Sequence, residues 1–596
     1  MPMIAMMMSA VALSMMLTVI LSLNKVTATK NITTNKSSIT IPVPSAAQLR
    51  YQSTDFVALI HFNMATYAKD GDPGCDFTNW NQKAVGATGP TSDPNTFHPY
   101  SKLNTTQWFD SITALGANIA VLTAKHGCGF LLWPTNATLP LPLTSNDNIT
   151  STTTTTTTTR TRPYEYQARV DVLQQFVDSA SAAGVGYGFY YSIMKNFFLC
   201  RSFHGDNSCT ANGIVLDGQH NVSNDEYHTI VKQHLKELYS NYGSLTEIWI
   251  DSKIQGFGPM LDRLQPDAGG TPSNPRQWCG TESGFPSRDV GPGPIWQTGT
   301  GFFGNASSEE WVDKFCDPQL YKEHIWFYMP PHNRQVRNLE ELIPIYHDIV
   351  GRGMVMELAM AINRDGLVEP SHAAVYKQLG DWVRECYGNA NNNGLAVWSS
   401  KQKQEQNHSV LLNDGDGDEF IDDDGNWRLK LKLSNSKSSK SFAFDRIVLQ
   451  EDISVGQRIR NYTITLVYDN DDADDNEYDD RFDIAADEKK NRGSHGRTNK
   501  ESTIVTLVSN GTSIGRKRIH LLDPKLLLDA AAAVGATATS RPRPRQQTMS
   551  IVLLVTHAIG TPCISMFGVY KPCYPYSNFE SSLNSMATES LFSSIQ

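Results

Sequence analysis

Residues 170–192 read VDVLQQFVDSASAAGVGYGFYYS, and this stretch decides the fold. Val170, Leu173, Phe176, Val177 and Ala180 recur at helical spacing, and Gly184 stops the run. Gly186–Ser192 then forms a short apolar and aromatic strand that finishes in polar groups. A helix feeding directly into a strand is half of a repeating unit, and the same unit recurs on both sides. Upstream, Phe56–His61 reads as a first strand. Asn104-Thr-Thr-Gln107 then starts a helix, Gly116 stops it, and Asn118–Thr123 is a second strand. Downstream, Ser223-Asn-Asp-Glu226 is a capping box that opens a helix ahead of a strand at Leu245–Asp251. Repeated strand–helix units imply a parallel sheet with helices outside, and at this length the expected architecture is a (β/α)8-type barrel over residues 49–388.

The pattern changes after about Ala390. Phe444–Gln450, Asn461–Val467, Ser502–Val508, Lys517–Leu521 and Met549–Thr556 are short β-type runs separated by turn signals. They predict an all-β sandwich domain over residues 389–575, followed by a tail at 576–596. Three low-complexity stretches read as solvated insertions: Thr152–Thr159, the acidic segment at about 468–500, and the Ala-rich then Arg-Pro segment at about 528–548.

Met1 to about Leu23 is apolar and uncharged, and Val26-Thr27-Ala28 suits signal peptidase, so residues 1–28 are expected to be a signal peptide and 29–48 a linker. No later segment is long and apolar enough to span a membrane. Asn-x-Ser/Thr triplets recur at Asn31, Asn35, Asn104, Asn136, Asn148, Asn221, Asn305, Asn407, Asn461 and Asn510. That density beside a leader favours a secreted glycoprotein. The formal charge of -10 is concentrated in Asp414–Asp424 and Asp469–Asp483, and no basic face offers itself to a nucleic acid. Nine cysteines suit an oxidising compartment; Cys200/Cys209 and Cys563/Cys573 are each near enough in sequence to close a small loop. There is no Cys-x-x-Cys pair and no close His-x-His pair, so neither a metal nor another cofactor is expected.

Barrel enzymes carry their working groups at the C-terminal ends of strands. Those ends here are His61, Lys125-His126, Tyr190-Tyr191-Ser192 and Trp249-Ile-Asp251. Imidazole and phenol groups hold hydroxyls, indole stacks on the apolar face of a pyranose, and a carboxylate can react, so the set suits a sugar. Glu247, on the same strand as Asp251, is expected to face a barrel helix or solvent.

The series Leu59-Ile-His61-Phe, Leu122-Thr-Ala-Lys-His126-Gly-Cys-Gly-Phe130-Leu-Leu-Trp133, Gly188-Phe-Tyr-Tyr191-Ser192 and Glu247-Ile-Trp-Ile-Asp251 resembles the α-L-fucosidases of glycoside hydrolase family 29. The resemblance continues through Arg276-Gln-Trp-Cys-Gly-Thr-Glu282-Ser-Gly284 and His324-Ile-Trp326-Phe. It resumes at Phe444–Asp452 and Gly511–Arg518. It implies a retaining double displacement, with Asp251 as the nucleophile that forms a fucosyl-enzyme ester and Glu282 as the acid/base. Glu282 occupies the Glu of a Trp-x-Gly-x-Glu motif typical of the subgroup acting on α-1,3/1,4-linked fucose. It further implies that His61, His126, Tyr191 and Trp249 hold the sugar, with Trp326 as a stacking wall, and that the partner is a fucosylated glycan. The segment Pro266-Asp-Ala-Gly-Gly-Thr-Pro lacks the apolar strand expected before Glu282. A catalytically impaired barrel that still binds fucose is therefore the alternative.

Overall fold

The computed structural model describes residues 40–67, 93–141, 161–200, 215, 218–251, 256–330, 335–388, 394–399, 420–421, 426–433, 444–470, 504–523 and 547–573. The expected signal peptide and most of the three expected insertions lie outside them.

Seven strands form the first sheet: β1 Phe56–His61, β2 Ile119–Lys125, β3 Gly186–Ser192, β4 Glu247–Asp251, β5 Arg276–Trp278, β6 Asp313–Cys316 and β7 Val355–Ala361. Their spatial order is β4-β3-β2-β1-β7-β6-β5, and every pairing is parallel. β1, β2 and β7 are buried along their whole length, as strands covered on both faces must be. The (β/α)8-type barrel read from the sequence is the architecture found. Between β4 and β5 the missing strand is reduced to one parallel bridge, Glu247 to Gly269, with Ile248 N donating to Gly269 O at 2.9 Å. The neighbouring Gly270 has φ +85°, and a Cβ there would meet Ile248 O at 2.0 Å, so only glycine lets this chain lie against β4.

The helices start and stop where local chemistry says they should. α1 is Ala46–Gln52, α2 Thr105–Leu115, α3 Val172–Ala183, α4 Asn224–Leu238, α5 Gly258–Leu264, α6 Leu339–Ile349 and α7 Pro370–Tyr387. Asn104 accepts from Gln107 N, Asp171 from Gln174 N, and Ser223 with Glu226 forms a full capping box. Gly116 and Gly184 close α2 and α3 in the left-handed conformation.

Two antiparallel sheets follow. β8 Gly394–Ser399, β9 Phe420–Ile421, β10 Trp427–Leu433, β11 Arg446–Glu451, β12 Ile459–Asn470, β13 Ile504–Gly511, β14 Arg518–Leu521, β15 Gln547–Ala558 and β16 Ile564–Tyr570 pair in the orders β8-β16-β11-β14 and β9-β10-β15-β12-β13. Ile447, Leu449, Ile464, Leu466, Ile551 and Phe567 fill the space between them. The turn before β14 docks on the N-terminal end of the barrel, away from the C-terminal strand ends. There Arg516 Nη2 reaches Asp55 Oδ1 at 3.0 Å, Lys517 joins the same carboxylate, and Tyr346 OH donates to it at 2.8 Å. Burial pushes the Asp55 carboxyl up, but Lys517 and Arg516 outweigh it and hold it well below the usual carboxylate range.

Cys279 pairs with Cys316 and Cys386 with Cys573. The short Cys563/Cys573 loop suggested by sequence spacing is therefore not formed, because Cys573 follows β16 to the end of α7.

The barrel interior holds a charge network. Arg276 of β5 forms ion pairs with Glu247 of β4 and, at 3.4 Å, with Glu357 of β7. Both carboxylate side chains are fully buried. Glu247 thus faces the interior rather than a helix or solvent, since side chains alternate along a strand and it shares a face with Trp249 and Asp251. Tyr51 OH and Trp249 Nε1 (2.8 Å) both donate to Glu357. Burial pushes Glu357 well above its usual value, the adjacent Glu247 adds to the push, and Arg276 opposes it. Replacing the cation (Arg276→Met) is expected to cost about 3–5 kcal/mol, the effect of breaking a buried pair. A carboxyl whose folded pKa is raised contributes its stability below the unfolded value of about 4.3 and loses it as pH rises. The loss should therefore be smaller at pH 5 than at pH 8, and denaturant unfolding at both values checks this.

Candidate active site

Asp251 ends β4 and Tyr190 lies on the adjacent β3, whose register sets Ser192 beside Asp251. Tyr190 OH donates to Asp251 Oδ2 at 2.6 Å. Rings extend from this pair along the mouth of the barrel. Tyr190 packs on Trp249 (centroids 5.0 Å) and stacks on His126 (5.5 Å); His61 stacks on Trp326 (4.8 Å); Phe327 meets both imidazoles edge-on. His61, His126, Trp249, Trp326 and Asp251 are thus brought together as the sequence suggests.

Tyr191 is not with them. Its ring is fully buried on the other side of β3, its hydroxyl 2.9 Å from Nδ1 of His234 on α4, while Tyr190 takes the inward position. A one-residue slip on a strand reverses the face, and two adjacent tyrosines give no sequence signal to choose between them.

Burial pushes His61 down to about 3, against a hydrogen bond to Leu59 O that acts the other way. Burial also takes His126 well below its usual value, helped by His61 and Lys125. Both imidazoles are therefore neutral near pH 7, each offering one N–H donor and one acceptor nitrogen. Lys125 is buried beside them and donates to Ser192 O and Lys195 O, so it braces the end of β3. Burial lowers its ammonium to about 7, with Asp251 pulling the other way.

Glu282 lies four residues beyond β5, with its side chain one-third exposed. Its Oε2 accepts from Gln319 Nε2 at 3.1 Å and contacts His324 Nε2. A third carboxyl, Asp317, directly follows β6 and is buried. Trp278 Nε1 donates to it at 2.5 Å. Burial pushes Asp317 well above the usual carboxylate range, with Glu282 and then Asp251 adding repulsion. It thus links the two candidate catalytic carboxyls electrostatically. Asp317 escapes the sequence reading because β6 has only four residues, although Val312-Asp-Lys-Phe-Cys-Asp317 does end in a carboxylate as β4 does. Among the described residues, no group of three or more His, Cys, Asp or Glu side chains is arranged to hold a metal ion.

A strand-end carboxyl, Asp251, beside a wall of neutral imidazole and aromatic rings, with Asp317 in electrostatic reach of both Asp251 and Glu282, marks the class: a glycoside hydrolase built on a (β/α)8 barrel. The family model described as Alpha-L-fucosidase matches residues 63–389, and the chain belongs to that family. An Arabidopsis thaliana relative named Alpha-L-fucosidase 1 is 22% identical over 396 residues, or 62% of this chain; the chain spans 66% of that relative's length. Among solved structures, a glycoside hydrolase 29 family member from an unknown rumen bacterium superposes with a TM-score of 0.55 at 20% identity, covering 89% of this chain and 77% of that one. A Ruminococcus gnavus GH29 fucosidase solved in complex with fucose gives 0.55 at 18% identity, over 91% and 98%.

Three outcomes follow from this geometry. Tyr190→Phe removes a hydrogen bond to a carboxylate, so kcat/KM should fall roughly tenfold to a hundredfold, the equivalent of about 1.5–3 kcal/mol. Tyr191→Phe should leave turnover within a few-fold and lower the melting temperature instead. Carbon-13 NMR of labelled histidine should show no protonation of His61 or His126 between pH 5 and 8.

Proposed function

We propose that this protein is a retaining α-L-fucosidase that releases terminal α-linked L-fucose from glycoproteins or oligosaccharides. One observation carries the reading: a strand-end carboxylate, Asp251, held by Tyr190 OH at the focus of a wall of rings. In the proposed sequence Glu282 protonates the departing oxygen while Asp251 attacks the anomeric carbon, giving a fucosyl ester. Glu282 then takes a proton from water, which cleaves the ester. Neutral His61 and His126 donate to and accept from the hydroxyls, and Trp249 and Trp326 cover the apolar parts of the sugar. The Trp278-Cys-Gly-Thr-Glu282 motif supports a preference for α-1,3/1,4 linkages.

Secretion belongs to the same reading. Asn104, Asn136, Asn221, Asn305, Asn461 and Asn510, the sequon asparagines among the described residues, are all exposed. Among those residues no helix is long and apolar enough to cross a membrane. Protein made in a eukaryotic secretory host should shift to lower mass with an N-glycosidase, and an unshifted band would remove this support.

Azide separates the two carboxyl roles. Asp251→Ala should lose nearly all fucose release, and azide should restore turnover with inverted fucosyl azide as product. Glu282→Ala should slow a fucosylated oligosaccharide by roughly 10²–10⁴ and, with azide, yield the product of retained configuration. Wild-type protein that binds fucose but releases none would instead establish the alternative, a fucose-binding barrel without turnover.

A further inference from the structure

Glu282 stands on the least regular arc of the barrel. The strand before it, β5, has three residues, and the helix after it, Pro286–Asp289, has four. A proton donor has to be held to about 0.5 Å of its working position, and elements this short do not supply that alone.

Lateral links to the end of β6 do. The parallel register sets Phe315 beside Trp278, and Cys279 N donates to Phe315 O at 2.8 Å. The next residues along are joined covalently, Cys279 to Cys316, with Cα atoms 5.2 Å apart. Hydrogen bonds flank the disulfide in both directions. Trp278 Nε1 donates to Asp317, and Gln319 Nε2 donates to Glu282 Oε2. Arg337 fastens the outer edge, with Nε on Gln319 O (3.1 Å) and Nη2 on Ser283 O (3.3 Å). Between Cys279 and Glu282 the chain turns at Gly280, φ +89°, where a Cβ would lie 2.5 Å from the Phe302 ring. Trp278, Cys279, Glu282 and Ser283 are thus each tied to the segment Phe315–Gln319 or to Arg337.

Building on the reading of Glu282 as acid/base, we propose that the Cys279–Cys316 disulfide, with Asp317 and Gln319, is a clamp that positions Glu282 for proton donation. It supplies the lateral restraint that the three-residue β5 does not. Asp317 and Gln319 act in it as positioning residues, through Trp278 and on Glu282 respectively.

The clamp makes a kinetic demand that a purely structural disulfide does not. Proton donation matters for a sugar leaving group, a poor one, and hardly at all for a nitrophenolate, which departs as the anion. Opening the clamp should therefore penalise the two substrates unequally.

The test compares the full-length wild type, the double variant Cys279→Ala/Cys316→Ala, and Cys386→Ala/Cys573→Ala, which removes the disulfide between α7 and the end of β16. Each is assayed for kcat and KM on 4-nitrophenyl α-L-fucoside and on a fucosylated oligosaccharide. The clamp variant should lose roughly tenfold or more in kcat/KM, which reports the step of leaving-group departure, on the oligosaccharide beyond any loss on the nitrophenyl substrate. The control disulfide variant should lose equally on both. Gln319→Ala, which leaves the disulfide in place, should show the same split to a lesser degree and serves if the double variant does not fold. Equal losses on both substrates, or none, in an active protein would overturn the clamp alone. A wild type inert on both substrates would overturn the reading of Glu282, and the clamp with it.

Discussion

The guanidinium of Arg276 is the constraint on which the barrel's working end depends. It lies in the interior between two buried carboxylates, Glu247 of β4 and Glu357 of β7, and its Nη2 also donates to Ile248 O. An eight-position barrel that has given up one strand needs something else across the gap. Backbone pairing there amounts to the Glu247–Gly269 bridge, so this side chain, reaching from β5 to β4 and β7, closes the circuit. The same network orients the pocket. Trp249, part of the ring wall, has its indole N–H on Glu357, which is itself held by Arg276 and Tyr51. The excess negative charge is relieved on Glu357, which burial and Glu247 hold well above its usual pKa. A buried network of this kind is costly unless each member is satisfied, and what it provides here is one fixed position for the floor of the site.

Much of this was legible in the sequence because the relevant physics is local. Asn104, Ser223, Gly116 and Gly184 act as caps through contacts within four residues, so their reading holds. β1 and β3 follow their expected bounds because a strand buried on both faces is a continuous apolar run between turn signals. Reading weakens where tertiary contacts decide. β5 and β6 are too short to show periodicity, so Asp317 was missed. Glu247 was read as peripheral because its cation arrives from a residue 29 positions away. Tyr190 and Tyr191 could be told apart only by which face of β3 looks inward. In the sandwich, β8, β10 and β16 were not anticipated; Trp427–Leu433 alternates Leu with Lys and Arg, and its pairing to β15 comes from a segment more than a hundred residues on.

Three carboxyls, Asp251, Glu282 and Asp317, meet at this end of the barrel, with Asp317 in electrostatic reach of the other two. Asp317 is buried, and repulsion from Glu282 and Asp251 reinforces the upward push of burial on its carboxyl, against the hydrogen bond from Trp278. Asp251 has the phenol of Tyr190 on one oxygen and the buried Lys125 within electrostatic reach. Glu282 is one-third exposed, with the Gln319 amide and His324 on its Oε2. Around them the imidazoles are neutral and the rings apolar, so the wall of the pocket supplies contact surface and hydrogen bonds without adding charge. An uncharged ligand with one apolar face and directed hydroxyls is what such a wall complements, and that is the chemistry of a deoxy sugar.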